Sequence, residues 1–217
     1  MNSDRCRIAI LISGSGSNLQ SFIDRVASGE LDLDIVLVFS NRADAYGLTR
    51  ANNVGIETCC IDHNDYADRE SFDKALARQL DAQSPDLLIL AGFMRILSPW
   101  FVSHYAGRIL NIHPALLPAY PGLDTHQRVL DAGDKWHGST VHFVTEELDG
   151  GPRILQGRLL VDVGESAQGL AARVQAIEHQ IYPEAAAMFA SQGLEFRSGE
   201  AWLGGACLSD PVVRDFV

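Results

Sequence analysis

Ile8-Ala9-Ile10-Leu11-Ile12-Ser13-Gly14-Ser15-Gly16-Ser17-Asn18 passes from an unbroken apolar run into a glycine-rich loop and then into a helical pattern. A short apolar run without alternation fits a strand covered on both faces. Glycines let backbone approach a ligand closely, and the N–H groups that open a helix favour an anion. Ser17 and Asn18 both suit the helix N-cap. A dinucleotide fingerprint needs a small third residue where Leu19 stands, and no Gly-Lys-Ser/Thr follows to make a nucleoside triphosphate loop. The loop therefore predicts a cradle for the phosphate of a mononucleotide or sugar phosphate. The alternative is a tight turn that binds nothing.

Outward from this loop, strands predicted over 34–39, 56–61 and 86–91 alternate with helices over 18–29, 43–53 and 66–82. Repeated strand-helix-strand order predicts an α/β fold, a Rossmann-like, doubly wound, mostly parallel sheet with ligands at the C-terminal ends of its strands. The second half changes character. Strands over 109–112, 139–144 and 154–161 have long loops and hairpin-like neighbours, which predicts a mixed C-terminal extension, and a helix follows over 167–192. Residues 199–217 give no assignable pattern. With no repeat, low-complexity linker or charge run, one domain over 1–217 with two functional halves is expected.

The chain has 217 residues, 47% hydrophobic and 21% charged, a globular balance. A formal net charge of -11 argues against nucleic acid as the main partner, which needs clustered Lys and Arg. After Met1-Asn2-Ser3-Asp4, the run over 8–12 is too short for a membrane span and no small-residue cleavage site follows. Cys6, Cys59, Cys60 and Cys207 lack metal-ligand spacing, and reduced thiols in the cytoplasm fit them best.

Asn111-Ile112-His113-Pro114 carries the chemistry. Alternate residues of a strand share a face, so Asn111 and His113 point into one space. The proline steers His113 toward extended backbone. A carboxamide and an imidazole held together polarise a carbonyl and move a proton. The strand around His137 and His142 leads into Glu147-Leu148-Asp149-Gly150-Gly151-Pro152, a sharply turning loop that aims Asp149 at His113 and would stabilise its imidazolium. For Asp149 an ordinary turn role stands as the alternative, and for His142 a satisfied core histidine. Arg95 follows the strand over 86–91 and so falls at the ligand edge, with Met94, Ile96 and Leu97 as an apolar slot or as core. His63, His104, His126 and His179 have no spacing for a shared metal site, and no metal is expected.

Together these motifs resemble the phosphoribosylglycinamide formyltransferases of purine biosynthesis. The resemblance runs over residues 11–20, 90–97, 111–118 and 141–152, in that order. It implies transfer of a formyl group from 10-formyltetrahydrofolate, as cosubstrate, to the amine of glycinamide ribonucleotide. Asn111, His113 and Asp149 match the family's catalytic trio, with His142 in support. Gly16, Ser17 and Asn18 match its substrate-phosphate loop, and Gln175, Ala176, Ile177 and Glu178 match a segment on the ribose side. Arg69, Met94, Arg95, Ile96, Leu97, Thr145, Glu146, Glu147, Leu148 and Asp149 match folate-contacting positions. The phosphate-binding half is then about 1–105, and the folate-binding and catalytic half about 106–217. Ser15 stands where the family often has Asn, and Ala115 where it often has Ser.

The mechanism implied is direct attack by the amine, with Asn111 and protonated His113 donating to the formyl oxygen and Asp149 assisting proton transfer. A formyltetrahydrofolate hydrolase would use water instead and usually carries an extra N-terminal domain. A methionyl-tRNA formyltransferase would need a basic RNA-binding region, which the charge disfavours. A non-enzymatic nucleotide-binding module would leave Asn111, His113 and Asp149 unexplained.

Overall fold

The computed structural model describes residues 5–216; the reading of Met1 to Asp4 lies outside them. The chain divides into two compact units, Met1–Leu110 and Asn111–Val217.

The first unit is built on strands β1 (Cys6–Ile12), β2 (Leu33–Ser40), β3 (Thr58–Cys60) and β4 (Leu87–Leu90), with helices α1 (Ser17–Ala27), α2 (Tyr46–Asn53), α3 (Arg69–Gln83) and α4 (Pro99–His104). The strand order is β3-β2-β1-β4, and every pair is parallel. β1 is hydrogen-bonded on both sides, and Ile8 to Ile12 are wholly buried, which is why its apolar run does not alternate. Phe22, Phe39, Phe72, Leu76 and Phe101 complete the core.

The helix predicted from residue 66 starts three residues later. Asp68 Oδ1 accepts from Ser71 N–H at 2.7 Å and closes a capping box. Such a cap is worth about 1 kcal/mol and fixes the start at Arg69. The cap expected of Ser17 or Asn18 on α1 falls instead to Gly16, in the left-handed region at φ 70°, with no side-chain cap bond.

β5 (Ile109–His113) carries the chain from the first unit into the second. There follow α5 (Thr125–Ala132), β6 (Trp136–Phe143), β7 (Arg153–Leu160), α6 (Ala167–Ser191), β8 (Glu195–Arg197), β9 (Glu200–Leu203), β10 (Ala206–Cys207) and β11 (Val212–Asp215). In this unit the order is β11-β7-β6-β5; β6 and β7 are antiparallel and β11 joins β7 in parallel. The mostly parallel sheet with a mixed extension agrees with the sequence. α6 packs on β6 and β7. A Cβ at Gly157 would collide with the Ile177 side chain, so the glycine lets helix and strand approach closely. β8, β9 and β10 form a small antiparallel sheet, and Phe196 of β8 meets Phe143 edge-on at 5.5 Å. No helix among the described residues is long and apolar enough to cross a membrane.

Candidate active site

In the second unit, β5 delivers Asn111 and His113, β6 delivers His142, and the loop after it delivers Asp149. His113 Nδ1 lies 3.4 Å from Asp149 Oδ2, both side chains being almost wholly buried. Asn111 Nδ2 is 3.1 Å from His142 Nε2, which lies 4.0 Å from Asp149 Oδ1. Four residues singled out in the sequence thus converge. Burial holds the His142 imidazole below the ordinary histidine value, against the opposing pull of the Phe143 carbonyl and Asp149.

Backbone groups finish the arrangement. His113 Nε2 lies 2.9 Å from the carbonyl of Tyr120, which can only accept, so Nε2 carries the hydrogen. Gly122 N–H donates to Asp149 Oδ2 at 2.9 Å. Tyr120 and Asp149 both have left-handed backbone, φ 56° and 54°. That region is costly for residues with a Cβ, and strain of this kind gathers at functional sites.

The loop after β5 is anchored from beneath. Thr140 Oγ1 donates to Ala115 O at 2.6 Å and accepts from Leu117 N–H at 3.0 Å. The Leu117 carbonyl receives Gln156 Nε2 at 2.7 Å and Arg153 Nη1 at 2.9 Å, and the Leu117-Pro118 bond is cis. Ser139 Oγ lies 2.7 Å from His113 O and 3.1 Å from Glu178 Oε1. Glu178 and Ile177 are buried in α6, whereas Gln175 and Ala176 are exposed. Thr145, Glu146, Glu147 and Leu148 lie on the loop that ends at Asp149; Leu148 is exposed, and Thr145 reaches only the Glu147 carbonyl, at 3.5 Å.

In the first unit the glycine loop is pinned at several points. Ser13 Oγ, buried, donates to Asn41 Oδ1 at 2.6 Å and accepts from Met94 N–H at 2.8 Å. Ser13 N–H donates to Gly92 O at 3.1 Å. Arg50 donates to Ser15 O at 2.8 Å and to Gln20 Oε1 at 2.9 Å. A Cβ on Gly16 would sit 2.7 Å from Gly47 Cα, so close packing as well as its φ demands glycine there. Gln20 N–H makes a helical bond to Gly16 O, and Ser17 and Asn18 form the first turn.

The segment after β4 divides by exposure: Met94 and Ile96 are 72% and 57% exposed, whereas Leu97 is buried. Leu97 is therefore core rather than slot lining. Arg95 lies over the Phe72 ring at 5.5 Å, and its Nε is buried without a hydrogen-bond partner. Arg69 lines an open groove of about 560 Å³ with Lys74 and Ser98.

Sequence reading missed Ser13 with Asn41, Thr140 with Gln156, Tyr120, Gly122, and the His126–His137 pair, whose ring nitrogens lie 2.9 Å apart. Only Ser13 carried a usable signal, as the residue joining strand to glycine loop.

Residues 6–186 match the formyl transferase family model. The chain is 52% identical over 198 residues to the phosphoribosylglycinamide formyltransferase of Escherichia coli, covering 91% of this chain and 93% of that one. The Haemophilus influenzae protein of the same name is 44% identical, covering 93% and 95%. Among solved structures, the Coxiella burnetii phosphoribosylglycinamide formyltransferase in complex with CHES superposes with a TM-score of 0.93 at 45% identity, covering 96% and 99%. The chain belongs to the phosphoribosylglycinamide formyltransferases, within the formyl transferase family.

Proposed function

We propose that the protein transfers the formyl group of 10-formyltetrahydrofolate to the amine of glycinamide ribonucleotide, in the cytoplasm, as one domain with a phosphate-binding first half and a folate-binding, catalytic second half. The observation that carries this reading is the convergence of Asn111, His113, His142 and Asp149 in a largely buried cluster.

Asn111 donates to the formyl oxygen as charge develops on it, an interaction commonly worth about a hundred- to a thousandfold in rate. His113 Nε2–H is committed to Tyr120, so the donation to the formyl oxygen that the resemblance implies falls to Nδ1, the nitrogen that also passes a proton between Asp149 and the reacting groups. Asp149 assists movement of the proton from the incoming amine to the folate nitrogen, which leaves as its bond to the formyl carbon breaks. A positioned acid–base group adds on the order of a hundred- to ten-thousandfold. The amine is itself the nucleophile, so no covalent bond to the protein forms.

The folate supplies the formyl group. Arg69, Met94, Arg95, Ile96, Leu97 and the stretch from Thr145 to Asp149 are the proposed folate positions, Leu97 acting from beneath because it is buried. The exposed Met94 and Ile96 and the unpartnered buried Nε of Arg95 favour an apolar, hydrogen-bonding ligand there. Gly16, Ser17 and Asn18 would hold the ribonucleotide phosphate, and Gln175 to Glu178 its ribose, through the exposed Gln175 and Ala176 and the carboxylate of Glu178.

A spectroscopic assay of deformylation, run with and without glycinamide ribonucleotide, tests the reading. Turnover that depends on the amine is expected. Equal turnover without it would make the protein a hydrolase, and no turnover with either would leave only a binding module.

A further inference from the structure

Between Val141 and His142 the ladder of β6 with β7 steps out of register, from Val141 opposite Leu155 to His142 opposite Arg153. A bulge of this kind re-aims a side chain. Here His142 Nδ1 comes to 2.9 Å from the carbonyl of the next residue, Phe143. The Phe143 peptide is itself fixed, since its N–H donates to Pro152 O at 3.0 Å and Gly151 packs directly on its carbonyl.

A carbonyl can only accept, so Nδ1 carries the hydrogen. Burial favours the neutral ring. Nε2 then has a lone pair and no proton, and it can only accept, from Asn111 Nδ2 at 3.1 Å. If the carboxamide were turned over, its oxygen would face that lone pair. Its amide nitrogen is thereby held against His142, and the second N–H of the same nitrogen remains to donate elsewhere. The other charged group beside the ring, Asp149 at 4.0 Å, is also an acceptor and cannot replace Asn111 as the donor to a lone pair.

We propose that His142 is a positioning residue whose tautomer, set by the Phe143 carbonyl at the bulge, selects which end of the Asn111 carboxamide faces the formyl oxygen. This rests on the reading of Asn111 as the donor to that oxygen. A dry core histidine would fill space; this one acts as an orienting acceptor.

Nitrogen-15 NMR of the full-length wild-type protein, with His142→Gln used to assign the signal, reads the tautomer without any turnover. A protonated Nδ1 and unprotonated Nε2 at neutral pH are expected, and an Nε2–H tautomer would overturn the proposal. In folded protein, His142→Phe should lower kcat by about ten- to a hundredfold and leave both KM values within about twofold. His142→Gln, whose carbonyl can accept, should recover part of kcat. Adding His142→Phe to Asn111→Ala should cost nothing further, because both remove the same donor. Normal kcat in His142→Phe, or full additivity with Asn111→Ala, would sink it. Absence of amine-dependent turnover in wild-type protein would instead sink the functional reading and leave the tautomer measurement standing.

Discussion

Gly122 N–H donates at 2.9 Å to Asp149 Oδ2, the same oxygen that lies 3.4 Å from His113 Nδ1. One carboxylate oxygen therefore fastens the loop after β5 and faces the ring that the loop surrounds. Asp149→Asn keeps the shape but replaces the charge. Formyl transfer should fall by on the order of a hundred- to ten-thousandfold, with the melting temperature close to wild type. Activity within a few fold of wild type in folded protein would remove Asp149 from proton handling.

Asn111→Ala and His113→Ala separate the two donors on β5. Asn111→Ala should lower kcat by about a hundred- to a thousandfold with little change in KM. His113→Ala should do at least as much and also loosen the loop, because Tyr120 O loses its donor. Steady-state kinetics with limited proteolysis of residues 114–124 checks both.

Ser13 joins two segments through one hydroxyl. Ser13→Ala would take their Ser13 partner from the buried Asn41 Oδ1 and the part-buried Met94 N–H. A cost of about 1–3 kcal/mol is expected, read by urea unfolding, together with weaker binding of a folate analogue. Unchanged stability and binding would mean the segment around Met94 is held elsewhere.

Gly16→Ala meets two obstacles, a left-handed φ and the backbone of Gly47 at 2.7 Å from the new Cβ. The two together should cost roughly 2–4 kcal/mol. Thermal unfolding measures this directly. Gly14, with open space around it, serves as the comparison and should accept alanine more cheaply.

Histidine burial gives the stability a pH dependence. His137 is pushed down to about 4, chiefly by burial and then by the positive charges of His126 and His113, with Asp134 opposing. Its folded value lies below that of the unfolded chain, so its contribution is full above about pH 6.5 and is lost as pH falls toward 4. The loss is on the order of 2–3 kcal/mol. His126 and His142 are shifted in the same direction by burial. Urea midpoints at pH 7, 5.5 and 4.5 should therefore decline, and His137→Gln should flatten the decline.

The parts legible in the sequence share one property: their side chains announce them. Unalternating apolar runs gave the parallel strands, and Asn111, His113 and Asp149 stood in motifs with unusual polar residues. Tyr120 and Gly122 act through a carbonyl and an amide that every residue possesses, so nothing in their identities pointed to the site. The bulge at His142 depends on the register between β6 and β7, which a single chain of letters does not specify. α4, at six residues, and β8 to β11, at two to four residues each, are too short for periodicity to register. The close approach of Gly47 to Gly16 is a contact between distant positions that the glycine's identity alone does not specify.

The unassigned tail has a consequence for synthesis on the ribosome. β11, at residues 212–215, is a partner of β7, which pairs with the strand that carries His142. Phe196, also late in the chain, rests on Phe143, whose carbonyl holds the His142 ring. Asn111, His113, His142 and Asp149 are all translated some sixty or more positions before β11 emerges. The nascent chain thus carries Asn111, His113, His142 and Asp149 well before the sheet beside them is complete. Release of a stalled chain ending near residue 194 should yield hydrogen-exchange protection within residues 5–110 but no protected His142 strand.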